Sequence, residues 1–155
     1  MVTVQDGKPN IWVAGLRHQR PDGTLKQVTF EREGGSYPVW SSDGSIAYQC
    51  NDGSDTNVCV TNADGSGRAQ LTHDPGQSWV GGWKSDNDTI LFAAERQGVW
   101  NIASVSRASG QIQFLTHFTA PQGHVRYPRW DDAAHRAVFE RAQTTGRVWS
   151  VDLPQ

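Results

Sequence analysis

The chain has 155 residues, 36% of them hydrophobic, and its 14 Lys and Arg stand against 16 Asp and Glu for a formal net charge of −2. That length buries a core for one domain, and a balanced charge with no basic run offers no field for phosphate backbones or anionic lipid. Nucleic acid and membrane insertion are therefore argued against, and neither a spanning apolar stretch nor a signal-peptide pattern after Met1 is present.

The predicted elements are short strands. In residues 1–30, Val2-Thr3-Val4, Asn10-Ile11-Trp12-Val13 and Gln27-Val28-Thr29 fit three strands, with a turn at Arg20-Pro21-Asp22-Gly23. A phrase then begins, Tyr37-Pro38-Val39-Trp40-Ser41-Ser42-Asp43-Gly44, followed by Ile46-Ala47-Tyr48, Asn57-Val58-Cys59-Val60 and Leu71-Thr72-His73. The same order returns as Trp83-Lys84-Ser85-Asp86-Asn87, Ile90-Leu91-Phe92, Asn101-Ile102-Ala103 and Leu115-Thr116-His117. A third pass runs through Tyr127-Pro128-Arg129-Trp130-Asp131-Asp132 and Ala137-Val138-Phe139 to Arg147-Val148-Trp149.

The phrase's tryptophans lie 43 and 47 residues apart, and both Cys59 to Ala103 and Leu71 to Leu115 span 44. A period in the mid-forties filled with alternating apolar strands is the mark of a propeller blade. Asp43-Gly44, Asp64-Gly65 and Ser109-Gly110 supply the positive-φ positions of tight hairpins. The fold class is all-β: a partial propeller of about three and a half four-stranded blades. The boundaries are a partial blade at 1–30, blades at 31–73 and 74–117, and a blade lacking its last strand at 118–155. An array short of a closed ring exposes blade faces and strand edges, which predicts self-association, with a homodimer completing the ring as the simplest form.

The run Trp-Ser-x-Asp-Gly, then Ile-Ala-aromatic, then Asn62-Ala63-Asp64-Gly65-Ser66-Gly67 and Gln70-Leu71-Thr72 resembles the TolB-type, WD-like β-propeller repeat. The match is close over 37–72; later copies replace the turn glycine with Asn87 and with Ala133-Ala134. The resemblance implies a binding scaffold for a protein partner. It implies equally an accessory propeller beside an enzyme or regulator, and it alone favours a periplasmic or extracytoplasmic setting. Fold does not name function.

Trp40, Trp83 and Trp130 share one repeat position and Trp12 and Trp149 another, so blade packing accounts for these five. Trp79 and Trp100 are off-pattern, in the loop before the second Trp strand and after the Glu95–Gly98 turn. Both rings project toward one rim, where they fold over loop backbone or serve as a platform for a protein or a sugar. Around them Glu31, Arg32, Glu33, Arg96, His124 and Arg126 would supply polar specificity. His73 and His117 follow equivalent Leu-Thr pairs, but no short ligand spacing points to a metal, and satisfied loop histidines are the plainer reading. The binding set is therefore Trp79, Trp100, Arg96, His73, His117, His124 and Arg126, with no cofactor and no metal.

Nucleophilic catalysis has no visible site, since Gly76-Gln77-Ser78-Trp79-Val80 lacks the second glycine of a nucleophile elbow. The turn Asn51-Asp52-Gly53-Ser54-Asp55 has ordinary turn composition and no downstream bidentate Glu for calcium. Cys50 and Cys59 read most simply as two small buried apolar residues, with a cross-hairpin disulfide as the alternative.

Overall fold

A computed structural model of the chain describes residues 2–5, 7–120 and 123–143, the first four by their backbone alone. The strands are β1 (Val2–Gln5), β2 (Lys8–Arg17), β3 (Arg20–Gln27), β4 (Gly35–Trp40), β5 (Ser45–Asp52), β6 (Asp55–Asn62), β7 (Ala69–Gln70), β8 (Gln77–Trp83), β9 (Thr89–Arg96), β10 (Val99–Ser106), β11 (Ile112–Phe114), β12 (His124–Asp131) and β13 (Arg136–Ala142). No helix occurs among the described residues. The strands form four antiparallel sheets in sequence order: β1-β2-β3, β4-β5-β6-β7, β8-β9-β10-β11 and β12-β13. The strand expected at Arg147–Trp149 lies outside the described residues.

Alternation along the strands gives each sheet two apolar faces, and successive sheets bury them against one another. Ala47, Val58 and Val60 of the second sheet meet Ile90, Phe92, Ala94, Ala103 and Val105 of the third. On its other face the second sheet packs Ile46, Tyr48 and the two cysteines against Ile11 and Val28. The third sheet turns Ala93 and Ile102 toward Val125.

An Asn near the start of β2, β6 and β10 and a Thr just after β3, β7 and β11 form a clasp in each of the first three sheets, buried in the first two and part-buried in the third. Ile11 N–H donates to Thr29 Oγ1 and that hydroxyl donates to Asn10 Oδ1, both at 2.9 Å. Val58 N–H, Thr72 Oγ1 and Asn57 Oδ1 repeat the chain at 2.9 and 3.1 Å, and Ile102 N–H, Thr116 Oγ1 and Asn101 Oδ1 repeat it at 2.9 and 2.9 Å. Each clasp carries the chain past the short fourth strand, where Val28, Leu71 and Leu115 donate to Ile11, Val58 and Ile102.

Several turns differ from expectation. The β2–β3 hairpin turns at His18-Gln19, both with positive φ, rather than at Arg20–Gly23. Two successive left-handed residues match the twist of a two-residue hairpin. Asp22 instead makes a local turn inside β3, its Oδ1 accepting from Thr24 N–H at 2.8 Å. Gly44, Gly65 and Gly110 have positive φ as their turns require, while Asn87 and His135 take that conformation where the later copies lack the glycine.

The cysteines correct the plainer reading. Both are buried, but Cys50 on β5 and Cys59 on β6 are joined by a disulfide with Cα atoms 5.8 Å apart. Cys50 pairs across the ladder with Asn57, so Cys59 sits two residues along, within reach.

Trp83 behaves as expected, packing on the central cluster and donating from Nε1 to Val39 O at 3.0 Å on the preceding sheet's inner strand. Trp130 lies under the Lys84 ammonium, 4.7 Å from the ring. Trp40, in contrast, is 54% exposed. Its sheet faces β1-β2-β3, where β1 is the edge and no described strand holds the inner position that β4 and β8 hold in theirs.

Tyr48 is fully buried and donates to Glu31 Oε1 at 2.5 Å, and Arg68 holds the same carboxylate with Nε at 2.8 Å and Nη2 at 2.9 Å. Burial, followed by the hydrogen bond and charge of Glu31, pushes the Tyr48 phenol well above its ordinary 10.0. Burial also raises the Glu31 carboxyl, but hydrogen bonds from Arg68 and Tyr48 outweigh it and leave it below 4.5.

Two predictions follow from these packed polar groups. Thr72→Val keeps the shape but orphans Val58 N–H and Asn57 Oδ1, and urea unfolding is expected to show a loss of about 1–3 kcal/mol at unchanged slope. Because the folded Tyr48 value is raised, its stabilising contribution is complete below the unfolded value of 10.0 and is lost as pH climbs from there toward the folded value. Tyr48→Phe is expected to flatten the alkaline fall in stability relative to the wild type in paired unfolding curves.

Candidate functional site

The inner strands β4, β8 and β12 carry a one-residue bulge at the same level, between Ser36 and Val39, Val80 and Gly82, and Arg126 and Arg129. A bulge swings its extra residue off the ladder and re-aims the side chain. In β4 and β12 the bulge holds Tyr37-Pro38 and Tyr127-Pro128, with the tyrosines at φ 51° and 52°. A left-handed backbone is unusual for a bulky side chain and concentrates at functional sites. Both phenols stand out from the surface, 60% and 57% exposed.

In β8 the equivalent pair is Val80-Gly81, and the glycine has a steric cause. A methyl group on Gly81 would overlap the ring and carbonyl oxygen of Pro128. Arg129 Nη1 donates to Gly81 O, so β12 is seated directly on β8.

Between the tyrosines lies a cavity of about 310 Å³ lined by Tyr37, Gln49, Trp79, Val80, Arg126 and Tyr127, residues of four strands in three sheets. Gln49 is 7% exposed; its Nε2 donates to Asn51 Oδ1 at 3.4 Å, while its Oε1 is buried and accepts nothing. Arg126 donates from Nη2 to Glu140 Oε1 at 2.7 Å and lies 5.5 Å from the Tyr127 ring centre, leaving Nε buried without an acceptor. The hydrogen bond that the guanidinium donates to Glu140 favours its charged form, and the pair is locally neutral.

The other expected site residues lie elsewhere or are occupied. Trp79 and Trp100 are in strands β8 and β10, not loops, and their rings meet at 4.1 Å tilted by 50°. Both are partly buried against Ala93, Ile102 and Val125, so only Trp79 reaches the cavity. Arg96 donates to Gln77 O at 2.9 Å, Glu95 O at 2.7 Å and Ser78 Oγ at 3.0 Å, which ties β9 to β8. His124 shares a small hollow with Trp100, Phe118 and Arg141, its Nε2 buried without a partner. His73 is exposed beside Gln70, at 3.3 Å, and His117 is exposed. Glu31 is held by Arg68 and Tyr48, and Glu33 by Lys8 at 2.7 Å; the Arg32 side chain is 96% exposed. Among the described residues no three His, Cys, Asp or Glu gather as a metal group.

Of the residues expected from the sequence, Trp79 and Arg126 line this cavity, together with Tyr37 and Tyr127 and with Gln49 and Val80, which the sequence does not single out. The available signal was the Tyr-Pro pair itself, repeated ahead of the first and third tryptophans and absent from the second copy.

The stacked antiparallel sheets form a partial β-propeller with a TolB-like fold. The chain is similar to the structure of a putative TolB from Agrobacterium tumefaciens, with TM-score 0.75 and 20% identity over 90% of this chain and 48% of that one. TolB from Acinetobacter baumannii aligns with TM-score 0.64 and 18% identity, covering 94% and 40%. A chain of the nidogen–laminin complex aligns with TM-score 0.67 and 12% identity, covering 87% and 49%. The chain thus spans about half the length, or less, of the solved structures it matches. No family model matches the sequence, and no curated protein matches it.

The seating of β12 sets the cavity wall. Gly81→Ala is expected to cost about 1–3 kcal/mol through overpacking against Pro128, readable by thermal unfolding. Near-ultraviolet circular dichroism should change with it as Tyr127 is displaced.

Proposed function

We propose that this chain is a non-catalytic protein-interaction module that holds a side chain of its partner in the inner-rim cavity between β4, β8 and β12. The observation that carries the reading is the pair of exposed, left-handed tyrosines on either side of Val80 and Trp79. Aromatic anchors around a concave, largely apolar pocket are the usual composition of a binding hot spot. The fold relatives support it in general terms: TolB structures and a chain from a complex of two proteins share the architecture. The bulges re-aim these side chains without breaking the sheets, since the ladder stays paired on both sides of them.

The alternative of a sugar stacked on Trp79 and Trp100 is less well supported. The two rings are turned into each other and into the core between sheets, so they form no open platform. The Cys50–Cys59 disulfide favours an oxidising setting, which agrees with the extracytoplasmic placement that the family resemblance implies.

The test is selection of peptides from a random phage-displayed library on the intact chain, followed by calorimetry with Tyr37→Ala and Tyr127→Ala. Each substitution is expected to weaken binding by at least about tenfold, the loss of one aromatic anchor. Binders indifferent to both substitutions would move the site away from the cavity and sink the reading.

A further inference from the structure

Resting on the protein-binding reading above, we propose that the cavity selects a primary carboxamide, the side chain of an Asn or Gln in the partner segment. The fold leaves two polar groups unused. Gln49 Oε1 accepts no hydrogen bond although its residue is more than nine-tenths buried, and Arg126 Nε donates none although it too is withdrawn from water. Buried polar atoms are nearly always paired, so each is a group held for something else. One is an acceptor and the other a donor, and both residues line the same cavity. The terminal torsion of a glutamine is soft, so the amide oxygen can turn toward an arriving donor.

The remaining lining narrows the choice. Tyr37 and Tyr127 flank the cavity with Val80 and part of Trp79 between them, an aromatic and apolar lining suited to a flat uncharged group. Charge is already balanced, because Arg126 is bound to Glu140 at 2.7 Å. A partner carboxylate would meet the Gln49 oxygen with no proton between them, and an ammonium would meet the Arg126 guanidinium. A hydrocarbon would leave both buried polar atoms unpaired, which disfavours it even in a largely apolar pocket. A primary carboxamide is planar and, once the Gln49 amide and the partly exposed Arg126 side chain turn toward it, donates through its NH2 to Gln49 Oε1 and accepts at its oxygen from Arg126 Nε.

The experiment uses the tyrosine-dependent peptides from the selection above. Every Asn and Gln in a binder is replaced in turn by its acid and by Leu, and Kd is measured against the wild-type chain, Gln49→Leu and Arg126→Lys. Arg126→Lys keeps the charge beside Glu140 and removes Nε, so it serves even where Gln49→Leu fails to fold. The expected result is one carboxamide whose replacement by either the acid or Leu weakens wild-type binding by at least about tenfold. That discrimination should shrink several-fold or vanish in both protein variants. Tyrosine-dependent binders that need no Asn or Gln, or a preference equally strong in both variants, would overturn the inference while leaving the interaction reading intact. Displacement of the peptides by free monosaccharides would overturn it in favour of a sugar hydroxyl. Absence of any tyrosine-dependent peptide would remove the interaction reading and this inference together.

Discussion

Among the described residues, three clasps of one Asn and one Thr, two of them buried and the third part-buried, are the constraint on which the rest of the structure depends. The fourth strand of a sheet here is as short as the two residues of Ala69–Gln70, too short to hold the chain by ladder bonds alone. The Thr hydroxyl completes the pairing by taking a backbone N–H from the third strand, and the Asn oxygen takes the hydroxyl proton. Asn10 and Asn101 go further and accept from Glu31 N–H and Phe118 N–H, at 2.9 and 2.7 Å, directing the chain toward the next inner strand. Without that direction the bulged strands would not share one level, and no cavity would form between them.

The repeat made this architecture legible. The spacing of the tryptophans, the Asn-apolar strands and the Leu-Thr endings mark strands that the structure contains, and the turn glycines have the conformation their chemistry demands. What could not be read depends on neighbours rather than on the segment itself. Trp40 carries the same phrase as Trp83, yet one is exposed and the other packed, because packing depends on what the preceding sheet offers. The cysteines occupy ordinary apolar strand positions, and only the ladder register brings them within bonding distance.

The site was half legible for a related reason. Trp79 stood out because it broke the pattern, while Tyr37 and Tyr127 kept the pattern and so looked structural. Their role comes from the bulge, a backbone feature with no composition of its own, which turns a repeated residue outward instead of into the core. Gln49 illustrates the same limit: its β5 position alternates as a core residue would, and its unpaired oxygen emerges only when the facing sheet is in place. Conversely, charged residues that the sequence offers for recognition, Arg96 and Glu31 above all, are consumed in joining strands.

In a stacked array each sheet touches only its neighbours, so cohesion is a sum of local interfaces and the outermost units detach first. The cavity is built from the second, third and fourth sheets at once. It therefore exists only while two consecutive interfaces are closed. A ligand held there would act as a rivet: by mass action its binding free energy adds to the cohesion of both interfaces, raising the cooperativity with which three sheets come apart.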